Sequence, residues 1–160
     1  MKTAFLILYL IALPLFPLWL RRREALRLRQ MDECLSMLRQ IRREISCFAR
    51  PLPEICRTLD LPTLSDGGFD PCESEDGDPA SVFQRAKNTL LLPREASELL
   101  SAFFDHAGAG FRDEEVGGCD YYIDRLSELT REEREEGPNR VRVKSTLILT
   151  AGLLFLLLVL

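Results

Sequence analysis

The chain has 160 residues, of which 46% are hydrophobic and 29% charged, and its net charge is −4. This acidic balance argues against a nucleic-acid-binding protein, because such proteins are usually basic overall. The five cysteines include no Cys-x-x-Cys pair, and there is one histidine, which argues against a zinc site of the usual spacing. All acidic residues and, apart from Lys2, all basic residues lie between Arg21 and Lys144, which leaves an apolar block at each end.

The first apolar block, residues 3–20, predicts an N-terminal transmembrane helix over residues 1–20. A helix needs about 20 predominantly apolar residues to cross the bilayer core. Trp19 stands where interfacial aromatic residues are found, directly before Arg21-Arg22-Arg23. A cleaved signal peptide is the alternative, but no small-x-small cleavage site follows the block. We expect the span to be retained, with cleavage left open.

The second apolar block, residues 145–160, predicts a C-terminal transmembrane helix. It is short for a span, so we expect Arg142 and Lys144 to reach toward the headgroups and lengthen it. Basic residues border both blocks on their inner sides. The positive-inside rule therefore predicts a two-span protein of the cell membrane whose central domain, residues 21–144, is cytoplasmic. Free cysteines are typical of that reducing compartment.

A long amphipathic helix is predicted directly after the first block. Its apolar residues recur every three or four positions: Leu28, Met31, Leu35, Leu38, Ile41, Ile45 and Phe48. Charged residues occupy its other face: Arg29, Arg39, Arg42, Arg43 and Glu44. The helix is expected to end at Arg50-Pro51, because proline disfavours helical geometry in the residue before it. A short helix can restart at Pro53.

Residues 61–78 predict a mobile acidic loop, because they combine glycine and proline with many carboxylates. Four aspartates in or beside this loop raise the question of calcium: Asp66, Asp70, Asp76 and Asp78. The residue order of an EF-hand and its closing glutamate are missing, so no metal site is predicted.

Two short helices are predicted after the acidic loop. Asp78-Pro79 has the pattern of an N-cap followed by proline in the first turn, and that helix extends to about Leu91. The next helix starts at Pro93 and ends at Gly108-Ala109-Gly110. Its apolar side carries Ala96, Leu99, Leu100, Phe103 and Phe104.

The last helix before the second span has one apolar face: Val116, Cys119, Ile123, Leu126 and Leu129. We expect Glu136-Gly137-Pro138-Asn139 to interrupt it with a hinge, and Gly117-Gly118 to weaken it. Cys34 and Cys119 fall on apolar stripes and are expected to be buried. No segment alternates like a strand. The predicted fold is therefore an all-α, membrane-anchored antiparallel helical bundle or hairpin with both ends in one membrane.

Three stretches carry a family resemblance. They are Arg43-Glu44-Ile45 with Pro51-Leu52-Pro53-Glu54-Ile55, then Gly110-Phe111-Arg112-Asp113, and finally Lys144-Ser145 with Thr150-Ala151-Gly152-Leu153-Leu154 and a run of leucines. Through them the chain resembles the stage III sporulation protein AB family, and its length and two-anchor layout agree along the whole chain. Residues 44–54 are the most specific part of the resemblance.

The resemblance implies a non-enzymatic role in endospore formation, in the complex that joins the mother cell to the engulfed forespore. It places the chain in the mother-cell membrane around the spore. The helical domain should be similar to the cytoplasmic domains of the platform protein of type II secretion and type IV pilus systems. The implied partners are other subunits of the complex, above all its secretion-type ATPase, and no cofactor is implied.

The candidate partner-binding residues lie on the charged face of the first helix and at the corner that follows it. They are Arg39, Arg42, Arg43, Glu44, Pro51, Leu52, Pro53 and Glu54. For any single charged residue of this set, plain solvation of the helix is the alternative interpretation. Membrane lipids are the other expected contact, and a homo-oligomer stays open.

Two other function classes are alternatives to a platform protein. An enzyme would use Glu54, Asp105 or His106 as acid–base groups and Cys47 or Cys56 as nucleophile, but no base and oxyanion site accompany them in the sequence. A generic two-anchor scaffold or an oligomeric pore subunit, unrelated to sporulation, is the remaining alternative. Neither apolar block carries the charged or polar stripe that water-filled paths usually show.

Overall fold

The computed structural model describes residues 2–48, 50–71, 78–107 and 112–159, with side chains described for 15–48, 50–71, 78–107, 115–152 and Leu154. Within these ranges six α-helices follow one another: α1 Lys2–Phe48, α2 Leu52–Cys56, α3 Pro62–Asp66, α4 Pro79–Ala86, α5 Arg94–His106 and α6 Arg112–Val159. The described residues contain no strand, so the predicted all-α class is confirmed.

The chain divides into two compact units. The first unit comprises Met1–Ala25 and Glu132–Leu160, and the second comprises Leu26–Arg131. We call them the terminal unit and the central unit. The long helices α1 and α6 contribute to both units, whereas α2 to α5 belong to the central unit alone.

The central unit is built on the apolar face of α1. Met31, Cys34, Leu38 and Ile41 are at most 1% exposed, which confirms the predicted stripe in the middle of the helix. Phe48 was expected to continue this stripe, and that prediction is wrong, because its side chain is 63% exposed. The reason is that α1 ends at this residue, so the ring lies beyond the last turn that packs on the core.

A cluster of phenylalanines forms the centre of the small helices. The rings of Phe69, Phe83 and Phe104 pack against one another in pairs, and their centroids are 5.4–5.8 Å apart. These separations are within the range that aromatic pairs prefer, and fully buried rings are among the largest apolar contributions to a core. The cluster therefore joins α4 and α5 to the segment that follows α3.

The first half of the predicted mobile loop is ordered, and there the prediction is wrong. Pro62–Asp66 forms α3, and Leu64 and Phe69 are each 1% exposed. Gly68 has a φ of 90°, its N–H donates to the Ser65 carbonyl, and the Phe69 N–H donates to the Leu64 carbonyl at 2.9 Å. This is a Schellman motif, which ends a helix on a glycine. Residues 72–77 of the predicted loop lie outside the described residues.

Two polar side chains of α1 hold α3 in place. The Glu33 carboxylate accepts hydrogen bonds from the backbone N–H groups of Thr63 at 3.1 Å and Leu64 at 3.0 Å, and from the Thr63 hydroxyl. These are donors in the first turn of α3, which have no partner within the helix. Gln30, only 2% exposed, donates to the Thr63 carbonyl at 3.3 Å and accepts from the Leu91 N–H at 2.8 Å.

The predicted helix starts in the middle of the chain are confirmed. The Asp78 carboxylate caps α4 by accepting from the N–H groups of Ala80 at 3.1 Å and Ser81 at 3.2 Å. The helix ends at Ala86, earlier than the expected Leu91, and residues 87–89 form a turn that leads to Leu90. Helix α5 follows Pro93 as predicted and ends at His106. The predicted stop at residues 108–110 lies outside the described residues.

Helix α6 is continuous, so the expected interruption at residues 136–139 is wrong. Pro138 lies inside the helix and removes one backbone donor, a loss that a long helix tolerates when both flanks are held. Gly137 packs closely within the terminal unit: a Cβ there would lie 2.7 Å from Oε1 of Glu24. The missing side chain thus allows the two helices to approach at this point.

The terminal unit exposes much of its apolar surface. Leu15, Leu18 and Trp19 of α1 are 51–56% exposed, and Leu147 and Leu154 of α6 are 63% and 67% exposed. Among the described residues, none of the helices combines the length and the apolar character needed to cross a bilayer. Much of both predicted spans lies outside the described side chains, since these omit 1–14, 153 and 155–160.

Candidate partner-binding surface

The predicted partner-binding residues fall into three environments at the end of α1 and the start of α2. Arg39, Arg43, Pro51, Pro53 and Glu54 are exposed. Arg42 and Glu44 are partly covered, and Leu52 is buried. These residues therefore differ in how accessible they are to a partner. The sequence pattern alone does not distinguish the exposed residues from the covered ones.

Arg42 is engaged within the central unit. Its guanidinium binds the carboxylate of Asp120 on α6 with both Nε and Nη2, the second at 3.0 Å. This two-point contact lowers the pKa of the Asp120 carboxyl, because the hydrogen bonds favour its charged form. Arg42 therefore ties α1 to α6 and is not freely presented to a partner.

Glu44 is also engaged, at the corner where α1 ends. Its side chain is 13% exposed, and Nη1 of Arg50 lies 3.5 Å from its Oε2. The Arg50 guanidinium stands over the ring of Phe48, 5.4 Å from its centroid. Arg50 thus connects the buried carboxylate to an exposed aromatic ring, and both contacts fix where the guanidinium lies.

Leu52 was predicted to bind a partner, but the structure gives it a place in the core. Leu52, Ile55 and Cys56 form the buried side of α2 and are at most 7% exposed. Pro51 precedes the helix as its N-cap, and Pro53 and Glu54 lie on its exposed side. Leu52 therefore anchors the corner, while its neighbours are presented to the solvent.

We define the corner surface as the exposed residues around this turn: Arg39, Arg43, Phe48, Arg50, Pro51, Pro53 and Glu54. Sequence reasoning missed Phe48 and Arg50. Phe48 satisfied the helical period, so it was assigned to the core. The available signal was its position immediately before the expected helix end, where no further turn continues the packed face.

The residues that were considered for an enzyme lie in different environments. Nδ1 of His106 lies 2.7 Å from the carbonyl oxygen of Ala102, one turn earlier in the same helix. Cys56 is buried and Cys47 is exposed. Within the described ranges, no group of three or more His, Cys, Asp or Glu side chains is placed to hold a metal ion.

Cys34 and Cys119, the two cysteines expected to be buried, lie in the core of the central unit. Burial raises the pKa of the Cys119 thiol to about 11, and it also raises the pKa of the Cys34 thiol. Since the thiolate is the reactive form, both groups are inert near neutral pH. This confirms the expectation that Cys34 and Cys119 act as small buried hydrophobic residues.

A shallow groove of about 430 Å³ runs along α6. Its walls all come from that one helix: Tyr121, Asp124, Arg125, Ser127, Glu128 and Arg131. Ligand pockets are usually concave and formed by several elements. This groove is therefore a feature of a charged helix surface rather than an enclosed binding site.

No protein-family model, no curated protein and no solved structure matches the chain.

Proposed function

We propose that the chain is a non-enzymatic membrane component of the channel complex between mother cell and forespore. In this role it is a platform that docks the complex's secretion-type ATPase on the corner surface. The proposal combines the resemblance of residues 44–54 to the stage III sporulation protein AB family with the exposure of Phe48, whose ring is covered on one side by the Arg50 guanidinium. That exposed ring is the observation that carries the docking role.

The composition of the corner surface supports binding to a protein with an acidic, partly apolar face. Aromatic and arginine side chains are enriched among the residues that dominate protein interfaces. Arg39 and Arg43 are exposed and form no ion pair among the described residues. Arg50 is already held by Glu44 and Phe48, so little side-chain freedom is lost when a partner binds it.

Membrane attachment is supported by the terminal unit. Its apolar side chains point outward on both helices, and large exposed apolar surfaces mark contact with lipid or another protein. Basic residues adjoin both apolar stretches: Arg21, Arg22, Arg23, Arg142 and Lys144. This order of apolar and basic residues is typical of membrane segments with a cytoplasmic flank. The proposal accordingly includes a location of the central unit in the mother-cell cytoplasm.

A pull-down with the full-length chain in detergent tests the docking role. The ATPase of the complex should be retained by the wild type, and a Phe48→Ala/Arg43→Glu variant should retain at least about tenfold less, as expected when a central aromatic and a charge are both lost. Arg85→Glu is the matched control, because Arg85 is exposed on α4 outside the corner surface. Equal retention by both variants would contradict the role of this surface.

A deletion strain tests the biological role separately. Loss of the gene should stop sporulation after engulfment, and expression of the wild-type chain should restore it. If the strain sporulates normally although the chain is found in the membrane, a generic two-anchor scaffold unrelated to sporulation becomes the better account. Ion conductance through the purified chain alone in a bilayer would instead favour a pore subunit.

A further inference from the structure

The terminal unit carries a group of exposed basic residues that form no ion pair with the described residues around them. Other arginines are held in ion pairs, both in the central unit (Arg42, Arg94 and Arg125) and in the terminal unit (Arg140). By contrast, five basic residues of the terminal unit form no ion pair among the described residues: Arg21, Arg22, Arg23, Arg142 and Lys144. All five are exposed, so their charge is available to an outside partner.

These basic residues flank one helix contact. Gly137 of α6 approaches Glu24 of α1, with 2.7 Å between a Cβ at Gly137 and the Glu24 carboxylate. Since a helix rises about 1.5 Å per residue, residues 21–23 lie within about 5 Å of that contact along α1. Arg142 and Lys144 lie about 7.5 Å and 10.5 Å from it along α6. Basic residues from both helices are therefore concentrated near the same place.

The apolar surface begins directly beyond the basic residues on each helix. Moving away from the contact along α1, the basic residues are followed by the exposed Trp19, Leu18 and Leu15. Moving away along α6, they are followed by the exposed Leu147 and Leu154. A surface that changes from basic to apolar within a few residues is complementary to lipids with negatively charged headgroups.

Trp19 and Arg23 give this boundary a defined geometry. The Arg23 guanidinium lies over the Trp19 ring, 5.3 Å from its centroid. Indole rings are favoured at the headgroup level, because they combine an apolar body with a polar N–H. With the indole at that level of a bilayer, the stacked Arg23 guanidinium would lie close to the lipid phosphates.

We infer that the five unpaired basic residues of the terminal unit select anionic phospholipids, so that the chain gathers these lipids around itself. This inference rests on the membrane attachment proposed above and adds the class of lipid. The electrostatic attraction between one exposed Lys or Arg and an anionic surface corresponds to about a fivefold enrichment of anionic lipids. This attraction decays over about 10 Å at 0.1 M salt.

Quenching of Trp19 fluorescence tests the inference, because Trp19 is the chain's one tryptophan. The full-length protein is reconstituted in bilayers of phosphatidylcholine with a minor fraction of phosphatidylglycerol, and either lipid carries bromine in its acyl chains. We expect brominated phosphatidylglycerol to quench Trp19 several-fold more than its mole fraction requires. High salt should reduce this excess.

Charge-removal variants identify the residues responsible. Arg21→Gln/Arg22→Gln and Arg142→Gln/Lys144→Gln should each reduce the excess quenching by at least about twofold. The matched control is Arg85→Gln/Lys87→Gln, which removes an exposed arginine and an exposed lysine from the central unit and should leave the excess unchanged.

The outcomes separate the two proposals. Quenching in proportion to mole fraction, unchanged in all variants, would overturn lipid selection while leaving membrane attachment in place. A loss of excess quenching in the control variant as well would also overturn the inference, since net charge would then explain it. If neither brominated lipid quenches Trp19, membrane attachment itself fails.

Discussion

The two units use the same types of apolar residue in opposite ways. In the central unit, Leu38, Leu100 and Leu126 are completely buried, whereas Leu147 and Leu154 of the terminal unit are more than 60% exposed. The central unit therefore supplies its own apolar surroundings. The terminal unit leaves the apolar residues named above exposed. The difference separates residues that stabilise the fold from residues whose proposed role is membrane attachment.

Truncation of a buried ring should produce the largest difference between the units. Phe83→Ala leaves a cavity beside Phe69 and Phe104, and should lower the free energy of unfolding by about 3–5 kcal/mol. Leu147→Ala is the matched control and should change it by less than about 0.5 kcal/mol. Denaturant unfolding of the full chain in detergent, followed by circular dichroism, measures both. Equal losses would show that the units do not differ in this way.

Glycine substitutions test where the central unit is tightly packed. A Cβ at Gly67 would lie 2.5 Å from Cδ2 of Leu90, so Gly67→Ala should lower the free energy of unfolding by about 2 kcal/mol. Gly117 has no atom within 4 Å of an added Cβ and lies inside α6. Gly117→Ala should therefore stabilise the chain by about 0.5–1 kcal/mol. Opposite signs in thermal unfolding are the expected result, and a Gly67→Ala variant as stable as the wild type would refute the packing at Gly67.

Loss of the Glu33 carboxylate should have a smaller effect on the central unit. Glu33→Ala leaves the Thr63 and Leu64 N–H groups without this acceptor and should cost about 1 kcal/mol. Asp124→Asn is the control, because Asp124 is exposed on α6. Hydrogen exchange should show faster exchange at Thr63 and Leu64 in the Glu33 variant. Unchanged exchange there would mean that α3 is held without the carboxylate.

Acid should weaken the central unit slightly through Asp120. The hydrogen bonds from Arg42 lower the pKa of Asp120 in the folded chain. Its contribution to stability is therefore complete above about pH 4, the usual unfolded value, and is lost as the pH falls through the folded pKa. Asp120→Asn should flatten this part of the curve of stability against pH. Because the pair is exposed, we expect the smallest effect of the series here.

Regular local patterns carried most of the successful prediction. The apolar stripe of α1, the Asp78 cap and the apolar side of α5 each depend on residues within one or two turns of each other, and all three are confirmed. The single turn of α3 was missed because Gly67-Gly68, which end it, are also what a loop contains. Local composition does not distinguish these two cases.

Contacts between distant segments were beyond the sequence pattern. The Arg42–Asp120 pair joins residues 78 positions apart, and the sequence around either residue does not indicate its partner. The exposure of Phe48 depends on where α1 ends, which the helical period does not encode. The sequence therefore indicated where the corner surface lies, but not which residues form it. Its docking role stays a prediction.

The amide of Gln30 satisfies two backbone groups of opposite polarity, at Thr63 and Leu91. A glutamate there would lack the donor and bury a charge, and a leucine would leave both backbone groups without these bonds. Position 30 should consequently tolerate fewer amino-acid substitutions than the apolar positions around it, where one aliphatic residue can replace another. Diverged chains that share this architecture are expected to retain glutamine at this point, which makes it a useful marker for recognising them.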